Sequence, residues 1–481
     1  MRNGAQLIAY ADRFGSGDIA GVRAMLDGPF SGVFTGVHLL PFYTPYDGVD
    51  AGFDPIDHEA VDPRLGTWGD VGALAQTYDV TADLIVNHIS ADSRAFADFR
   101  SKGDDSTHAD LFLSVESVFP GGPTDGEQAE IYRPRPTSPF TAFVVAGEER
   151  YLWTTFTDRQ VDIDVVSEAG TAYLDGILDR LAAAGATQVR LDAVGYAVKT
   201  RGTNCFMTPE TFAFIDRLTE RVHDRGMGVL IEVHAHHETQ IEIAARVDRV
   251  YDFALPPLVL HTLYTAGTAA LKKWLSAAPR NVVTVLDTHD GIGIVDVGPG
   301  GDRPGLLEAA EVDGLVRHIH TSTNGESLKA TGSAASNLDL YQVNTTFFSA
   351  LGCNDDAYVI ARLIQLMSPG IPQIYYAGLL AAENDSARLQ RTGVGRDINR
   401  PVVGVHDIAQ AMERPVVRRL IELIRLRSTH RAFDGEFSLG GGPDHIIEMT
   451  WTNDDHRVSA VIDVRAMGFE LHATLTPTLL A

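Results

Sequence analysis

The segment Val189-Arg190-Leu191-Asp192-Ala193-Val194 places an arginine and an aspartate in a short apolar run, and three other segments have a similar pattern. They are Ala82-Asp83-Leu84-Ile85-Val86-Asn87-His88, Leu230-Ile231-Glu232-Val233-His234 and Val285-Leu286-Asp287-Thr288-His289-Asp290. A buried strand has little use for a carboxylate, so an acid at its end either points into the mouth of a barrel or needs a pairing partner. One such aspartate is more often a helix cap or a member of an ion pair. An ordered set of four predicts that several strands end at one shared polar site.

Short apolar runs alternate with helical patterns over most of the chain, which is typical of βα units around a parallel sheet. The four polar segments belong to the third, fourth, fifth and seventh of eight candidate strands. Eight strands suit a closed (β/α)₈ TIM barrel better than an open sheet, and the fold class is therefore α/β. The candidate strands are Gln6–Tyr10, Val37–Phe42, Thr81–Val86, Gln188–Ala193, Gly228–Val233, Arg249–Ala254, Val282–Asp287 and Pro372–Tyr376.

Helical patterns lead directly into the candidate strands, as the helices of a barrel do. One pattern begins at Thr208, a candidate N-cap that is followed by Pro209 in the first turn, and it ends at Gly226. Its apolar face is formed by Phe212, Ile215, Leu218 and Val222. A second pattern runs from Leu174 to Gly185.

Two regions of the sequence lack the alternation of apolar runs and helical patterns. The region after the third strand is rich in Pro, Gly, Ser and Asp and is too long for a simple loop, so it predicts an inserted subdomain. A second irregular region follows the seventh strand, and the tail alternates as a strand does. We expect the barrel at 1–86, 165–291 and 352–432, an inserted domain B at 87–164, a second insertion with an acceptor-site loop at 292–351, and a small C-terminal β domain at 433–481.

The composition excludes several partners. The 481 residues include 39 Lys and Arg against 64 Asp and Glu, a formal net charge of −25, which argues against a nucleic-acid or anionic-membrane partner. Cys205 and Cys353 are the two cysteines, and they predict reduced thiols rather than a disulfide framework or a zinc site. The N-terminal residues do not have the pattern of a signal peptide, and we expect a cytoplasmic protein.

The residue types in the four segments suit the cleavage of a glycosidic bond with retention of configuration. That chemistry needs a carboxylate nucleophile and a second carboxyl group that first donates and then removes a proton. Asp192 is the candidate nucleophile, and Arg190 is expected to hold its charge and keep its pKa low. Glu232 lies among apolar residues, which would raise its pKa toward that of a general acid. Asp290 would bind sugar hydroxyls and favour an oxocarbenium-like transition state.

Two histidines, His88 and His289, are candidates for hydrogen bonds to the sugar. The alternative is that they are metal ligands. No local cluster of histidines and acids with ligand spacing supports that alternative, and we predict no metal site.

The four segments resemble the four shared regions of the α-amylase clan, and further segments are similar to one branch of it, the sucrose phosphorylases. These segments are Gln6-Leu7-Ile8-Ala9-Tyr10-Ala11-Asp12-Arg13, Asp50-Ala51-Gly52-Phe53-Asp54-Pro55-Ile56-Asp57-His58, Tyr132-Arg133-Pro134-Arg135-Pro136, Asn337-Leu338-Asp339-Leu340-Tyr341-Gln342-Val343-Asn344 and Gly395-Arg396-Asp397-Ile398-Asn399-Arg400. The resemblance extends over nearly the whole chain. It implies that sucrose and phosphate are converted reversibly to α-glucose 1-phosphate and fructose.

The resemblance also implies roles for individual residues. Asp192 is then the nucleophile, Glu232 the acid/base and Asp290 the transition-state stabiliser. The residues implied to bind the glucosyl unit are Asp50, His88, Arg190, His289 and Arg396, with Phe53 and Phe156 as aromatic walls. The acceptor residues are Tyr132, Pro134 and Arg135 in the first insertion and Asp339, Leu340, Tyr341 and Gln342 in the second, and Tyr196, Val233 and His234 are further substrate-binding candidates.

The acceptor loop is implied to exchange fructose-binding groups, such as Asp339 and Gln342, for phosphate-binding ones, such as Tyr341 assisted by Arg135. A positioned arginine gives planar, bidentate recognition of a phosphate. The prolines beside it stiffen the backbone and limit the entropy lost on binding. The alternative interpretation of this Arg-Pro segment is a solvated surface loop.

Three alternatives to sucrose phosphorolysis stay open. His236 and His237, together with Lys199 and Arg201, could add positive charge near the acceptor, which would favour sucrose 6-phosphate as substrate and fructose 6-phosphate as leaving group. Pro134 and the pair Leu340-Tyr341 favour plain sucrose. A hydrolase or transglucosidase would use the same acids with another acceptor, and an inactive sugar-binding protein would lack one of the acids.

The resemblance implies no cofactor, with inorganic phosphate as a co-substrate. The expected partners are small molecules, namely sucrose or sucrose 6-phosphate and phosphate, with no nucleic acid and no membrane. A homodimer is possible. Asn87 is compatible with the calcium that amylase relatives often bind near the first insertion, but this branch is not expected to need the ion.

Overall fold

Eight parallel strands close into a barrel in the computed structural model, which describes residues 2–48, 50–133, 138–331 and 342–474. Each strand lies between its neighbours in chain order, and the eighth pairs with the first through Gln6 and Gln373. The strands are β1 (Gln6–Ala9), β2 (Gly36–Leu39), β3 (Asp79–Ile85), β4 (Gln188–Asp192), β5 (Gly228–Ile231), β6 (Arg249–Asp252), β7 (Val282–Thr284) and β8 (Ile371–Tyr375).

All eight candidate strands are confirmed, and their ends differ from the prediction by at most three residues. The predicted strands run too far at their C-terminal ends because the residues that follow are also apolar and buried. Val233 is 3% exposed, and Val285 and Leu286 are each 1% exposed. Hydrophobicity alone therefore does not mark where the ladder of hydrogen bonds stops.

The helices of the barrel region follow the strands, and all of those named here except Ser386–Thr392 have buried side chains. The predicted helix between β4 and β5 is Pro209–His223, and the side chain of Thr208 caps it by accepting a hydrogen bond from the Thr211 amide at 3.2 Å. The others are Ile19–Asp27, Trp68–Ala75, Glu168–Ala183, His237–Ala244, Leu255–Thr265, Ala269–Ala277, Phe347–Ala350, Asp355–Met367, Tyr376–Leu379, Ser386–Thr392, Val405–Met412 and Pro415–Thr429.

The region between β3 and β4 contains a hairpin, Phe140–Val145 with Glu148–Trp153, and a short antiparallel pair, His88–Ser90 with Gln160–Asp162. Part of it packs around a small cluster of its own, which includes Phe119, Ile131 and Trp153. Its helices are Arg94–Lys102, Val115–Val118 and Asp125–Glu130. The antiparallel pair continues directly from β3 and so anchors the insertion at the C-terminal face of the barrel.

The region after β7 also lies at the C-terminal face of the barrel. Ile292–Gly293 pairs with Gln342–Val343, and the helices Ala309–Ser322 and Glu326–Thr331 lie between these two strands in sequence. This pairing brings the start and the end of the region together beside β7.

The C-terminal residues form a four-stranded antiparallel sheet, as the alternation of the tail predicts. Its strands are Glu436–Leu439, Ile446–Asn453, His456–Asp463 and Gly468–Ala473. Along the second strand Ile447, Met449 and Trp451 are buried, and the indole N–H of Trp451 donates to the Met367 carbonyl at 2.7 Å. The inner face of this sheet therefore packs on a barrel helix.

Candidate active site

The four polar segments meet around one cavity at the C-terminal face of the barrel. Asp192 is the last residue of β4, Glu232 directly follows β5, and Asp290 lies in the segment after β7. All three line the cavity. Most of the other predicted site residues line it too, namely Asp50, Phe53, His88, Phe156, Tyr196, Val233, His234, His289, Gln342 and Arg396. Ala193, Gly195, Phe206, Thr331 and Asn344 also line it and were not predicted.

Other predicted residues have different positions. Arg190 lies beneath the cavity, where it lines a small void with Glu232 and Asp290. Tyr132 stacks on Tyr196 with ring centroids 6.0 Å apart, so it supports the wall of the cavity. Pro134, Arg135, Asp339, Leu340 and Tyr341 lie outside the described residues.

Arg190 links three carboxylates. Its Nη1 lies 2.5 Å from Asp83 Oδ1 and 2.9 Å from Asp192 Oδ1, and its Nη2 lies 3.6 Å from Glu232 Oε1. The register of the parallel strands accounts for the first contact, because Arg190 on β4 is paired with Asp83 on β3. Burial raises the pKa of Asp83, but His38 and Arg190 lower it more, to about 2. Asp83 is therefore a fixed anion that holds the guanidinium against Asp192.

The Asp192 carboxyl is influenced by more than Arg190. Burial raises its pKa well above the usual range, Arg190 opposes this rise, and the Glu232 and Asp83 carboxylates add to it. The prediction that Arg190 keeps this pKa low is right about the effect of Arg190 and wrong about the net direction, because burial outweighs it. Ala193, which follows, has a left-handed conformation with φ of 55°, and this turns the chain away from β4 directly after Asp192.

Asp290 is held by two arginines from one later segment. Its Oδ1 lies 2.8 Å from Arg396 Nη1 and 3.6 Å from Arg400 Nη2. Asn399 donates to the Asp290 carbonyl at 2.7 Å, and Arg400 Nε donates to the His289 carbonyl at 2.8 Å. Burial raises the pKa of the Asp290 carboxyl, but the nearby cations hold it well below its usual value. Asp290 is thus an anion throughout the physiological pH range.

Aromatic and imidazole rings form the sides of the cavity. Phe53 stacks on His289 with centroids 4.8 Å apart and planes at 9°, and Phe156 lies 5.1 Å from His88. Burial lowers the pKa of both histidines, that of His289 to about 3. Both rings are therefore neutral near pH 7, which lets each of them donate or accept a hydrogen bond.

The side of the cavity formed by the region after β7 contains a chain of polar contacts. Gln342 Oε1 lies 3.4 Å from Arg396 Nη2, and Gln342 Nε2 lies 2.9 Å from His234 Nε2. His234 Nδ1 lies 3.1 Å from a carboxylate oxygen of Asp296, which is fully buried. Asp296 was not predicted, because it lies in the irregular segment after β7, where the sequence has no strand pattern.

The residues expected to add positive charge near the acceptor lie elsewhere. Lys199 is buried and its ammonium contacts Asp162 at 2.8 Å, Asn87 at 2.9 Å and the Tyr196 carbonyl. Arg201 pairs with Glu127 at the surface. His236 Nε2 lies 3.1 Å from the Pro304 carbonyl, and burial lowers the pKa of His237 to about 4. Lys199, Arg201, His236 and His237 are all described, and none of them lines the cavity.

Among residues 2–48, 50–133, 138–331 and 342–474 there is no group of three or more His, Cys, Asp or Glu that could hold a metal ion. Within the same ranges no helix is both long and apolar enough to cross a membrane. Cys205 and Cys353 are free thiols.

Comparison with known proteins gives consistent similarities. The family model of the α-amylase catalytic domain matches residues 7–241. The chain is 54% identical over 453 residues to the sucrose phosphorylase of Agrobacterium vitis, covering 94% of this chain and 93% of that protein. It is 50% identical over 466 residues to the sucrose phosphorylase of Bifidobacterium adolescentis, covering 96% and 92%. The crystal structure of sucrose 6F-phosphate phosphorylase from Thermoanaerobacter thermosaccharolyticum aligns with a TM-score of 0.89 at 36% identity, over 98% of this chain and 96% of that one.

Proposed function

This chain belongs to the glycoside phosphorylase branch of the α-amylase family, and we propose that it transfers the glucosyl unit of sucrose reversibly to inorganic phosphate. The products are α-D-glucose 1-phosphate and D-fructose. The observation that carries this proposal is the cavity in which Asp192, Glu232 and Asp290 meet above the Arg190 guanidinium. Three carboxyl groups in these positions serve a double displacement at an anomeric carbon.

In the first step the Asp192 carboxylate attacks the anomeric carbon of the glucosyl unit. The bond from this carbon to the fructosyl oxygen breaks, and Glu232 gives its proton to that oxygen. Arg190 lies 2.9 Å from Asp192 and 3.6 Å from Glu232, so its charge acts more strongly on Asp192 and offsets part of the rise in pKa that burial causes there.

In the second step phosphate takes the place of fructose. A phosphate oxygen attacks the anomeric carbon, the bond to Asp192 breaks, and the Glu232 carboxylate accepts the proton that the phosphate loses. The two inversions return the α configuration. Both carboxyl groups are back in their starting protonation states, so the cycle is balanced without a further reactant.

Asp290 and the aromatic and imidazole rings of the cavity would bind the glucosyl unit and stabilise its transition state. An anion that the surrounding cations keep ionised stabilises the positive charge that develops on the sugar ring. Phe53 and Phe156 contact the apolar faces of the ring. The hydroxyl groups are within the reach of Asp50 and Arg396, whose charged atoms lie 4.0 Å apart, and of the neutral His88 and His289. The phosphate-binding roles of Arg135 and Tyr341 and the fructose-binding role of Asp339 rest on the family resemblance.

The described residues favour sucrose over sucrose 6-phosphate as the substrate. The second substrate was suggested by four basic residues, Lys199, Arg201, His236 and His237, and none of these residues lines the cavity. The acceptor side that is described contains His234 and Gln342, which suit neutral hydroxyl groups. No resident cofactor is expected in this mechanism. The homodimer, the cytoplasmic location and the domain boundaries stay predictions.

The test is the release of α-glucose 1-phosphate from sucrose and, in parallel, from sucrose 6-phosphate, each with and without phosphate. We expect phosphate-dependent release from sucrose. Asp192→Asn should abolish it, whereas the surface variant Asp216→Asn, which changes an exposed pair with Arg246, should keep it. A strong preference for the phosphorylated sugar would favour the alternative substrate. Free glucose that is independent of phosphate would show a hydrolase instead.

A further inference from the structure

The polar contacts beside the cavity have a fixed direction. Arg396 carries donors and no acceptor, so the oxygen of the Gln342 amide faces Arg396 and its NH₂ group faces His234 Nε2 at 2.9 Å. Asp296 has acceptors only, so His234 carries a proton on Nδ1 and donates it at 3.1 Å. In its neutral form His234 therefore accepts from Gln342 through Nε2. Arg396, Gln342, His234 and Asp296 are thus connected in series by hydrogen bonds. At each contact only one of the two groups can be the donor.

Asp296 is built into the fold at this point. It is fully buried, and its Oδ1 accepts from the Ala235 amide at 3.2 Å and from Gln240 Nε2 at 2.9 Å, while its Oδ2 faces His234. Gly293 allows this approach, because a Cβ there would lie 2.6 Å from Asp296 Oδ2 and 2.9 Å from His234 Nδ1. Any larger residue would displace either the carboxylate or the imidazole.

We propose that Asp296, which does not line the cavity, is a positioning residue that fixes the tautomer of His234 and thereby the orientation of Gln342 toward the leaving group. This inference rests on the proposed function. If Nε2 carried the proton instead, His234 and the Gln342 NH₂ group would face each other as two donors. The amide would then have to turn, and its NH₂ group would face the Arg396 guanidinium. Either arrangement disrupts the surface that the fructosyl unit meets.

The groups packed around His234 set its pKa and hold the plane of its ring. Burial lowers the pKa of His234, and Asp296 raises it above the usual value, with smaller contributions from Glu232 and Asp290. Arg396, which faces His234 through Gln342, opposes its protonation. Phe253 stacks on the imidazole at 3.8 Å and holds the plane of the ring. A side-chain amide at position 296 has both an acceptor and a donor group, so it could face His234 Nδ1 with either one, whereas a carboxylate can only accept.

The variant Asp296→Asn separates the effect of Asp296 on the His234 tautomer from its contribution to the fold. The asparagine oxygen can keep the bonds from Ala235 and Gln240, while its NH₂ group faces His234 Nδ1. The tautomer should then invert at little cost to the fold. Asp248→Asn is the matched control, because it removes a carboxylate that contacts another histidine, His223, at 2.7 Å.

The first measurement is the tautomer of His234 in ¹⁵N-histidine-labelled protein, with its signals assigned by their loss in His234→Gln. At a pH above the titration midpoint of His234 we expect a proton on Nδ1 in the wild type and on Nε2 in Asp296→Asn, with a lower titration midpoint in the variant. A proton on Nε2 in the wild type would overturn the proposal. This outcome needs no turnover, so it is independent of whether sucrose is the substrate.

The second measurement compares two glucosyl donors, sucrose and α-glucosyl fluoride, which has no fructosyl unit. In Asp296→Asn we expect kcat/KM for sucrose to fall about tenfold or more, as the loss of one oriented hydrogen bond predicts, and kcat/KM for the fluoride to change less than about threefold. Asp248→Asn should leave the ratio unchanged. An equal fall for both donors would show a general structural role and refute the positioning role.

Discussion

Replacing Asp252 with asparagine should make the stability of the protein less sensitive to pH. Asp252 ends β6 and is 2% exposed. Its carboxylate accepts from the Trp274 indole at 2.9 and 3.1 Å and from the Leu255 amide at 3.0 Å. The next residue, Phe253, stacks on His234. Burial outweighs these hydrogen bonds and raises the pKa of Asp252 from 3.8 to about 7.

The sign and size of the effect follow from that shift. The folded state holds the proton up to about pH 7 and the unfolded state loses it near pH 3.8, so this group reduces stability as the pH rises from about 4 to 7. At about 1.4 kcal/mol per pKa unit, the reduction is roughly 1.5 kcal/mol at pH 5 and roughly 4 kcal/mol at pH 8. Asparagine does not ionise. Its NH₂ group beside the Trp274 donor costs about 1–3 kcal/mol, but that cost is the same at both pH values.

The assay is urea unfolding of the wild type and of Asp252→Asn at pH 5 and pH 8. The difference in unfolding free energy between the two proteins should shift by roughly 2.5 kcal/mol in favour of the variant at the higher pH. Asp105→Asn, at an exposed position, should show no such shift. A difference that is the same at both pH values would mean that Asp252 ionises normally in the folded protein, and the reasoning from burial would be wrong.

Three further predictions concern ion pairs that involve a buried charge. Lys199→Met should lower the unfolding free energy by about 3–5 kcal/mol in urea, because it leaves the buried Asp162 without its cation at 2.8 Å; a loss below about 1 kcal/mol would contradict this. Arg190→Met should reduce kcat for sucrose by at least about a hundredfold in steady-state assays, since it removes the cation that orders the catalytic carboxyl groups, and activity within about tenfold of the wild type would refute that role. Arg396→Gln should move the acidic limb of the pH–rate profile to higher pH, because the pKa of Asp290 rises when its cation at 2.8 Å is lost; an unchanged limb would show that Arg396 does not control Asp290.

The barrel and the meeting of three acids at one cavity were predictable because their signals are local. The apolar runs of eight strands and the acids at their ends are visible within a few residues each. Parallel strands of a barrel end at one face, so the convergence of Asp192, Glu232 and Asp290 follows from the fold class. The helix after Thr208 was likewise predictable from its cap and its apolar spacing.

The ion pairs and hydrogen bonds around the cavity could not be predicted from local sequence, because they join residues that are distant in the chain. Lys199 was expected near the acceptor, but the fold turns it inward to Asp162, which is 37 residues earlier in sequence and lies in the first insertion. Arg400 and Asn399 fix the backbone around Asp290 from more than a hundred residues away. Such pairs depend on how insertions and loops pack, and composition gives no signal for them.

The net pKa of Asp192 was mispredicted for a related reason. The sequence shows that Arg190 is two residues away, and the sign of its effect is clear. It does not show how completely the pair is buried or that Asp83 already uses much of the guanidinium charge, at 2.5 Å. Electrostatic effects at a site depend on the sum of all neighbours, which only the folded structure provides.

The most direct test of the proposed mechanism is to trap the covalent glucosyl-enzyme. Glu232→Gln treated with α-glucosyl fluoride, whose leaving group needs no proton, should accumulate the intermediate when phosphate is absent. Peptide mass spectrometry after an acid quench should find one glucosyl unit on the peptide that contains Asp192, and phosphate added before the quench should discharge it to glucose 1-phosphate. A glucosyl unit on another residue, or none at all while the fluoride is consumed, would contradict the assignment of Asp192 as the nucleophile.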